Sequence, residues 1–178
     1  MIGSVHYVAI DGNQMAVDNE PDRLGSAVSS CLGGDWIKLC ELYYESVAQV
    51  AEKTGCDIIG HFDLITKFNE GGRLFSCSDP RYIRAWQSAA DRLLKYGIPF
   101  EINTGAMSRG YRTSPYPALD IIRYIQSKGG KFILSSDAHR KEDLLYGFET
   151  VEAAMEHENI PLYRFTELKL QSNGNYGK

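Results

Sequence analysis

The chain has 178 residues, 43% hydrophobic and 24% charged, a balance that fits one globular domain with a real core. Its 23 acidic and 19 basic residues give a formal charge of −4, and no run of Lys or Arg forms a track for a phosphate backbone, so nucleic acid is not an expected partner. No apolar stretch nears the roughly 20 residues that span a bilayer, and MIGSVHYVAIDG lacks the basic start and apolar stretch of a signal peptide; no membrane association and a cytoplasmic location are expected.

Residues 3–10 read as a first strand, and the polar residues 11–34 as a loop long enough to be functional. Ile37, Cys40, Tyr44, Val47 and Ala51 recur at helical spacing, which predicts an amphipathic helix over 35–54, capped by Asp35 and ended by Gly55. The short apolar run 56–61 suits a buried parallel strand. Asp79 and Pro80 open a second helix that stops before Gly97. A strand over 100–104, a helix over 117–128, a strand over 131–136 and a helical tract over 142–158 follow. Alternation without tight Asn-Gly hairpins argues for βα units on a parallel sheet, an α/β fold. The four cysteines, Cys31, Cys40, Cys56 and Cys77, form no CxxC pair, which predicts reduced, mostly buried thiols.

In such sheets the chemistry gathers at the C-terminal ends of the strands, where loops bring side chains from several strands around one pocket. His6, His61 and His139 fall at or near those ends, and Asp137 stands beside His139. In an extended segment Asp137 and His139 point to the same side, and imidazoles from neighbouring strands can join them around an ion; nitrogen and carboxylate donors suit Zn, Mn or Fe. His157, between Glu156 and Glu158 on a charged helix face, is not a candidate. Arg109 and Arg112, in a loop after a strand, are suited to bidentate contact with phosphate. Asn103 and Thr104 are candidates for orienting substrate or ligands, with backbone hydrogen bonding the alternative.

Four blocks, GSVHYVAID, DIIGHFDLITKF, FEINTGAMSRGYRTSPYP and FILSSDAHRKEDL, together resemble in order and spacing the later motifs of the PHP (polymerase and histidinol phosphatase) family, above all its histidinol phosphatases. The resemblance covers roughly residues 1–150. It implies an α/β fold, the C-terminal portion (about four βα units) of a seven-stranded, distorted, TIM-like (β/α) barrel, with 1–178 a single partial PHP domain. It also implies up to three divalent metal ions, with His6 and His61 sharing one, Asp137 on a second and His139 on a third. Asp137 and His139 would be catalytic, Arg109 would clamp a phosphate, and Ser108 and Arg112 would assist it.

The family's earlier HxH motif, further His and bridging Glu have no counterpart before His6. An incomplete metal cluster is therefore expected, with self-association or a missing N-terminal segment. The implied activity is hydrolysis of a small phosphomonoester such as histidinol phosphate, in histidine biosynthesis. The alternatives are a non-catalytic metal-binding fragment or subunit of a split PHP protein, and a PHP phosphoesterase acting on nucleotides.

Overall fold

The computed structural model describes residues 1–164, 166 and 167. Four short strands, β1 (Ile2–Gly3), β4 (Ile58–Ile59), β5 (Phe100–Asn103) and β6 (Phe132–Ser135), pair in parallel in the order β1-β4-β5-β6. Each strand follows the previous one through helical crossovers, as parallel pairing requires. Every residue of β5 is buried, consistent with a strand covered on both faces.

The first third of the chain departs from the sequence reading. Residues 3–10 are not one strand: β1 ends at Gly3, and β2 (Tyr7–Ile10) folds back on β3 (Asn13–Ala16) as an antiparallel hairpin. Asp11 and Gly12, both at positive φ (48° and 80°), make its two-residue turn. Asp-Gly is among the few pairs that tolerate left-handed backbone at both central positions. The polar residues beyond it are not a loop either. They hold β3 and α1 (Pro21–Cys31), which starts on a proline at its first position and buries Leu24, Ala27 and Val28.

The later elements fall close to expectation. The helix predicted over 35–54 is two pieces, α2 (Trp36–Val47) and α3 (Val50–Thr54), with the Asp35 carboxylate accepting from Lys38 N at 3.0 Å and Gly55 closing α3 in the left-handed region (φ 60°). The Asp79 side chain accepts from Arg81 N to cap α4 (Pro80–Leu94). After β5 come a short α5 (Gly105–Ser108), α6 (Leu119–Ser127) and, beyond β6, α7 (Phe148–His157). Among the described residues no helix is long and apolar enough to cross a membrane.

The core joins α2 and α4 through Leu39, Tyr43 and Tyr44 on one side and Tyr82, Trp86 and Leu93 on the other, all buried. Tyr44 and Tyr82 bury their hydroxyls against each other at 3.2 Å, which satisfies both. The thiols divide evenly, Cys40 and Cys56 buried and Cys31 and Cys77 exposed, so burial is not the general state the composition suggested. Leu93 is fully buried, and Leu93→Ala is expected to lower the free energy of unfolding by roughly 2–5 kcal/mol, read from the shift of a urea transition.

Candidate metal and oxyanion site

One cavity of about 530 Å³ is lined by His6, His61, Asp137 and His139, together with Arg109. The chain leaves β1 and reaches His6 just before the hairpin, whose far end returns to it: Val17 N donates to His6 O at 2.9 Å. This return brings Asp18 beside the His6 ring, where Nδ1 donates to Asp18 Oδ2 at 3.0 Å and Ser4 Oγ lies 3.2 Å from Nε2. A carboxylate on one imidazole nitrogen fixes the ring's orientation and raises the basicity of the other. The hydrogen bond and negative charge of Asp18 hold the His6 imidazole above its ordinary proton affinity.

His61 follows β4 and is buried, with its ring centroid 4.8 Å from that of His6. Burial pushes its proton affinity down. Its backbone N–H donates to the buried Glu101 carboxylate at 2.8 Å; the same Oε2 accepts from Asn103 Nδ2 at 3.0 Å, and Asn103 Oδ1 accepts from Gly105 N at 2.8 Å. Asn103 thus orients the site through backbone and carboxylate contacts. Thr104 is buried at the start of α5, and its hydroxyl has no hydrogen-bond partner.

Asp137 and His139 meet, but not as an extended pair. Asp137 has a positive φ of 46°, so the expected same-side projection does not apply. They touch directly, His139 Nδ1 lying 2.8 Å from Asp137 O, and Arg109 borders both: Nη2 donates to Asp137 Oδ2 at 3.2 Å and Nη1 to Asp137 O at 3.1 Å, with His139 Nδ1 3.1 Å from Nη1. Gly105 makes room for the guanidinium, since a Cβ there would sit 2.8 Å from Arg109 Nη2 and 2.9 Å from Ser136 O.

Two of the predicted substrate-binding residues lie elsewhere. The Ser108 hydroxyl donates to Gly105 O within its own short helix. Arg112 turns into a separate cavity of about 180 Å³, reaching the fully buried Asp63 at 3.6 Å, Thr66 and Ser114, with its guanidinium 4.7 Å from the Tyr116 ring centre. Burial pushes the Asp63 carboxyl up even with Arg112 alongside, while Asp63 Oδ2 accepts from Ala118 N at 3.0 Å. Arg112 and Asp63 tie the loop after α5 to the segment after His61. Asp18, Lys67, Glu101 and Tyr116, which the sequence did not single out, line the main cavity.

The two pairs of candidate donors differ in how open they are to a metal ion. Two buried polar atoms of residues lining this cavity, His61 Nδ1 and Tyr116 Oη, have no hydrogen-bond partner, a state that buried polar groups rarely keep. The His6 and His61 rings are in contact, with the Asp18 carboxylate on His6. Asp137, by contrast, is paired with Arg109 and His139 Nδ1 lies on the Asp137 carbonyl oxygen, and among the described residues no group of three or more His, Cys, Asp or Glu side chains is arranged to hold an ion.

The chain is 32% identical over 160 residues to a protein of Deinococcus radiodurans named "Probable histidinol-phosphatase", an alignment covering 90% of this chain and 54% of that protein. A Schizosaccharomyces pombe protein of the same name is 29% identical over 144 residues, 78% of this chain and 44% of its own length. The chain is similar to proteins named as histidinol phosphatases. The PHP resemblance carried by the four motifs therefore holds, and the chain spans about half the length of the curated relatives it matches. In fold it is similar to a crystal structure from Listeria monocytogenes, of a protein named as a candidate histidinol phosphatase, with a TM-score of 0.71 and 20% identity over 84% of this chain and 56% of that one. No protein-family model matches the chain.

Two outcomes follow from this geometry. In the metal-free chain, imidazole proton shifts followed by NMR against pH should show His6 titrating above the usual 6.5 and His61 below it, with Asp18→Asn moving His6 downward. Arg112→Met, which strands the buried Asp63 carboxylate, should cost about 3–5 kcal/mol in chemical denaturation, and adding Asp63→Asn should recover part of that loss.

Proposed function

We propose that this chain carries part of the metal and phosphate site of a phosphomonoester hydrolase resembling the histidinol phosphatases, acting on a small substrate such as histidinol phosphate. The observation that carries the reading is the convergence of His6, His61, Asp137, His139 and Arg109, from distant parts of the sequence, on one cavity. The parallel sheet is read as a section of a (β/α) barrel, in keeping with the position of the site beyond the strand ends.

Divalent ions such as Zn, Mn or Fe, held by His6 and His61 on one side and by Asp137 and His139 on the other, would activate water for attack on phosphorus and neutralise phosphoryl charge. The other contributions come from the chain. Arg109 presents a planar fork of donors to the phosphate oxygens, a geometry that Lys cannot reproduce. Asp18 keeps the His6 ring turned with Nε2 free of the carboxylate. Glu101 fixes the backbone of His61, so the two histidines keep their edge-to-face contact. Tyr116 is buried beside His61, at 6.4 Å between ring centres.

A second reading, a metal-binding chain without turnover, is favoured by one observation: among the described residues no three donors already surround a common point. Elemental analysis of the purified chain, run beside phosphate release from histidinol phosphate, separates the two. Two or more equivalents of metal, with turnover that His61→Ala lowers by about 100-fold, match the loss of a metal ligand in a working hydrolase. One equivalent or less and no turnover sinks the hydrolase reading for this length of chain.

A further inference from the structure

Lys67 stands just past the 3₁₀ turn Leu64–Thr66, on the segment that follows His61, and lines the same cavity as Arg109. Its ammonium donates to the Asp18 carbonyl oxygen and lies 4.5 Å from the centre of the Tyr111 ring and 5.3 Å from that of Phe68. An ammonium has three donors, and this contact uses one. The aromatic faces hold the cation in place without neutralising it. Among the described residues no carboxylate forms an ion pair with Lys67, whereas Arg109 is paired with Asp137. Partial burial lowers the proton affinity of Lys67; the Arg109 charge acts in the same direction, and the Asp18 and Asp137 carboxylates act against it. Two like charges gathered in one cavity, one of them in no close ion pair among the described residues, leave room for an anion that both can face.

The geometry points to Lys67 as the second cation of an oxyanion subsite, holding a phosphate jointly with Arg109 from the Asp18 side of the cavity. The assignment rests on the phosphate reading of that cavity and adds to it a ligand requirement: a dianion, which engages two cations, is preferred to a monoanion. Arg109 supplies directional, planar donors, and Lys67 supplies a point charge that tolerates several oxygen positions. A purely structural role for Lys67, tying the Asp18 segment to the aromatic pair, predicts a different response to substitution, because an amide can replace the hydrogen bond but not the charge.

The test uses inorganic phosphate as probe, with binding to the purified chain measured by calorimetry at a pH where phosphate is dianionic. Lys67→Gln should weaken binding roughly tenfold or more, and Lys67→Arg should keep most of it. In the unsubstituted chain, phosphate should also protect Lys67 from acetylation by acetic anhydride, read by mass spectrometry, so the assignment stands or falls even where Lys67→Gln does not fold. Unchanged affinity in Lys67→Gln, or acetylation of Lys67 that phosphate leaves untouched, overturns the role of Lys67; a loss of affinity in Arg109→Gln alone would then leave the phosphate cavity standing. Absence of phosphate binding to the unsubstituted chain overturns both.

Discussion

The buried carboxylate of Glu101 is the constraint on which the site depends. It sits inside β5, accepts from the backbone of His61 on the neighbouring β4 segment, and accepts again from Asn103, which in turn holds the first N–H of α5. A carboxylate in such a place is costly unless its oxygens are hydrogen-bonded. Here those bonds are made to residues lining the main cavity, so His61 directly and the helix leading to Arg109, through Asn103, are held by one carboxylate. Gly105, at the end of this chain of bonds, leaves the space in which the guanidinium lies against Asp137.

A second set of contacts fixes the loops around that frame. Arg112 and Asp63 form a buried ion pair, and Glu70 accepts from both the backbone and the hydroxyl of Thr113. The loop following α5 is thereby fastened at several points to the segment following His61. The value of the buried pair lies less in net stability than in register, since each charge is uncomfortable without the other. Arg109, at the head of the same loop, faces the main cavity, while Arg112 faces inward: two arginines three positions apart with opposite work.

The parallel sheet was legible because its strands are short apolar runs bounded by capped helices, as at Asp35, Asp79 and Gly55. Asp11-Gly12 between YVAI and NQMA is a strong turn signal, but Val5, Val8 and Ile10 carry an apolar pattern across the break at Ser4, so residues 3–10 read as one strand. Helix α1 escaped for a related reason, since Glu20 makes no side-chain cap bond and polar residues outnumber the three it buries. His6, His61, Asp137 and His139 were found through motifs, and the structure does bring them to one cavity. Asp18, Lys67 and Glu101 were not, because each meets its partner across a distance in sequence that no local spacing encodes. Arg112 could not be separated from Arg109 by composition, as only the buried Asp63 distinguishes them.

The hairpin divides the cavity between two kinds of architecture. His6 and Asp18 flank an antiparallel ribbon whose strands are joined by a two-residue turn, whereas His61 and Glu101 belong to a sheet assembled from remote segments. Elements closed by nearby contacts can open and re-form without the rest of a protein unfolding. Opening of the ribbon would carry off one histidine together with the carboxylate that orients it, and leave the other fastened to Glu101. Amide exchange in Tyr7–Ala16 faster than in β5 would then mark how often half of the cavity wall steps aside while the sheet stays intact.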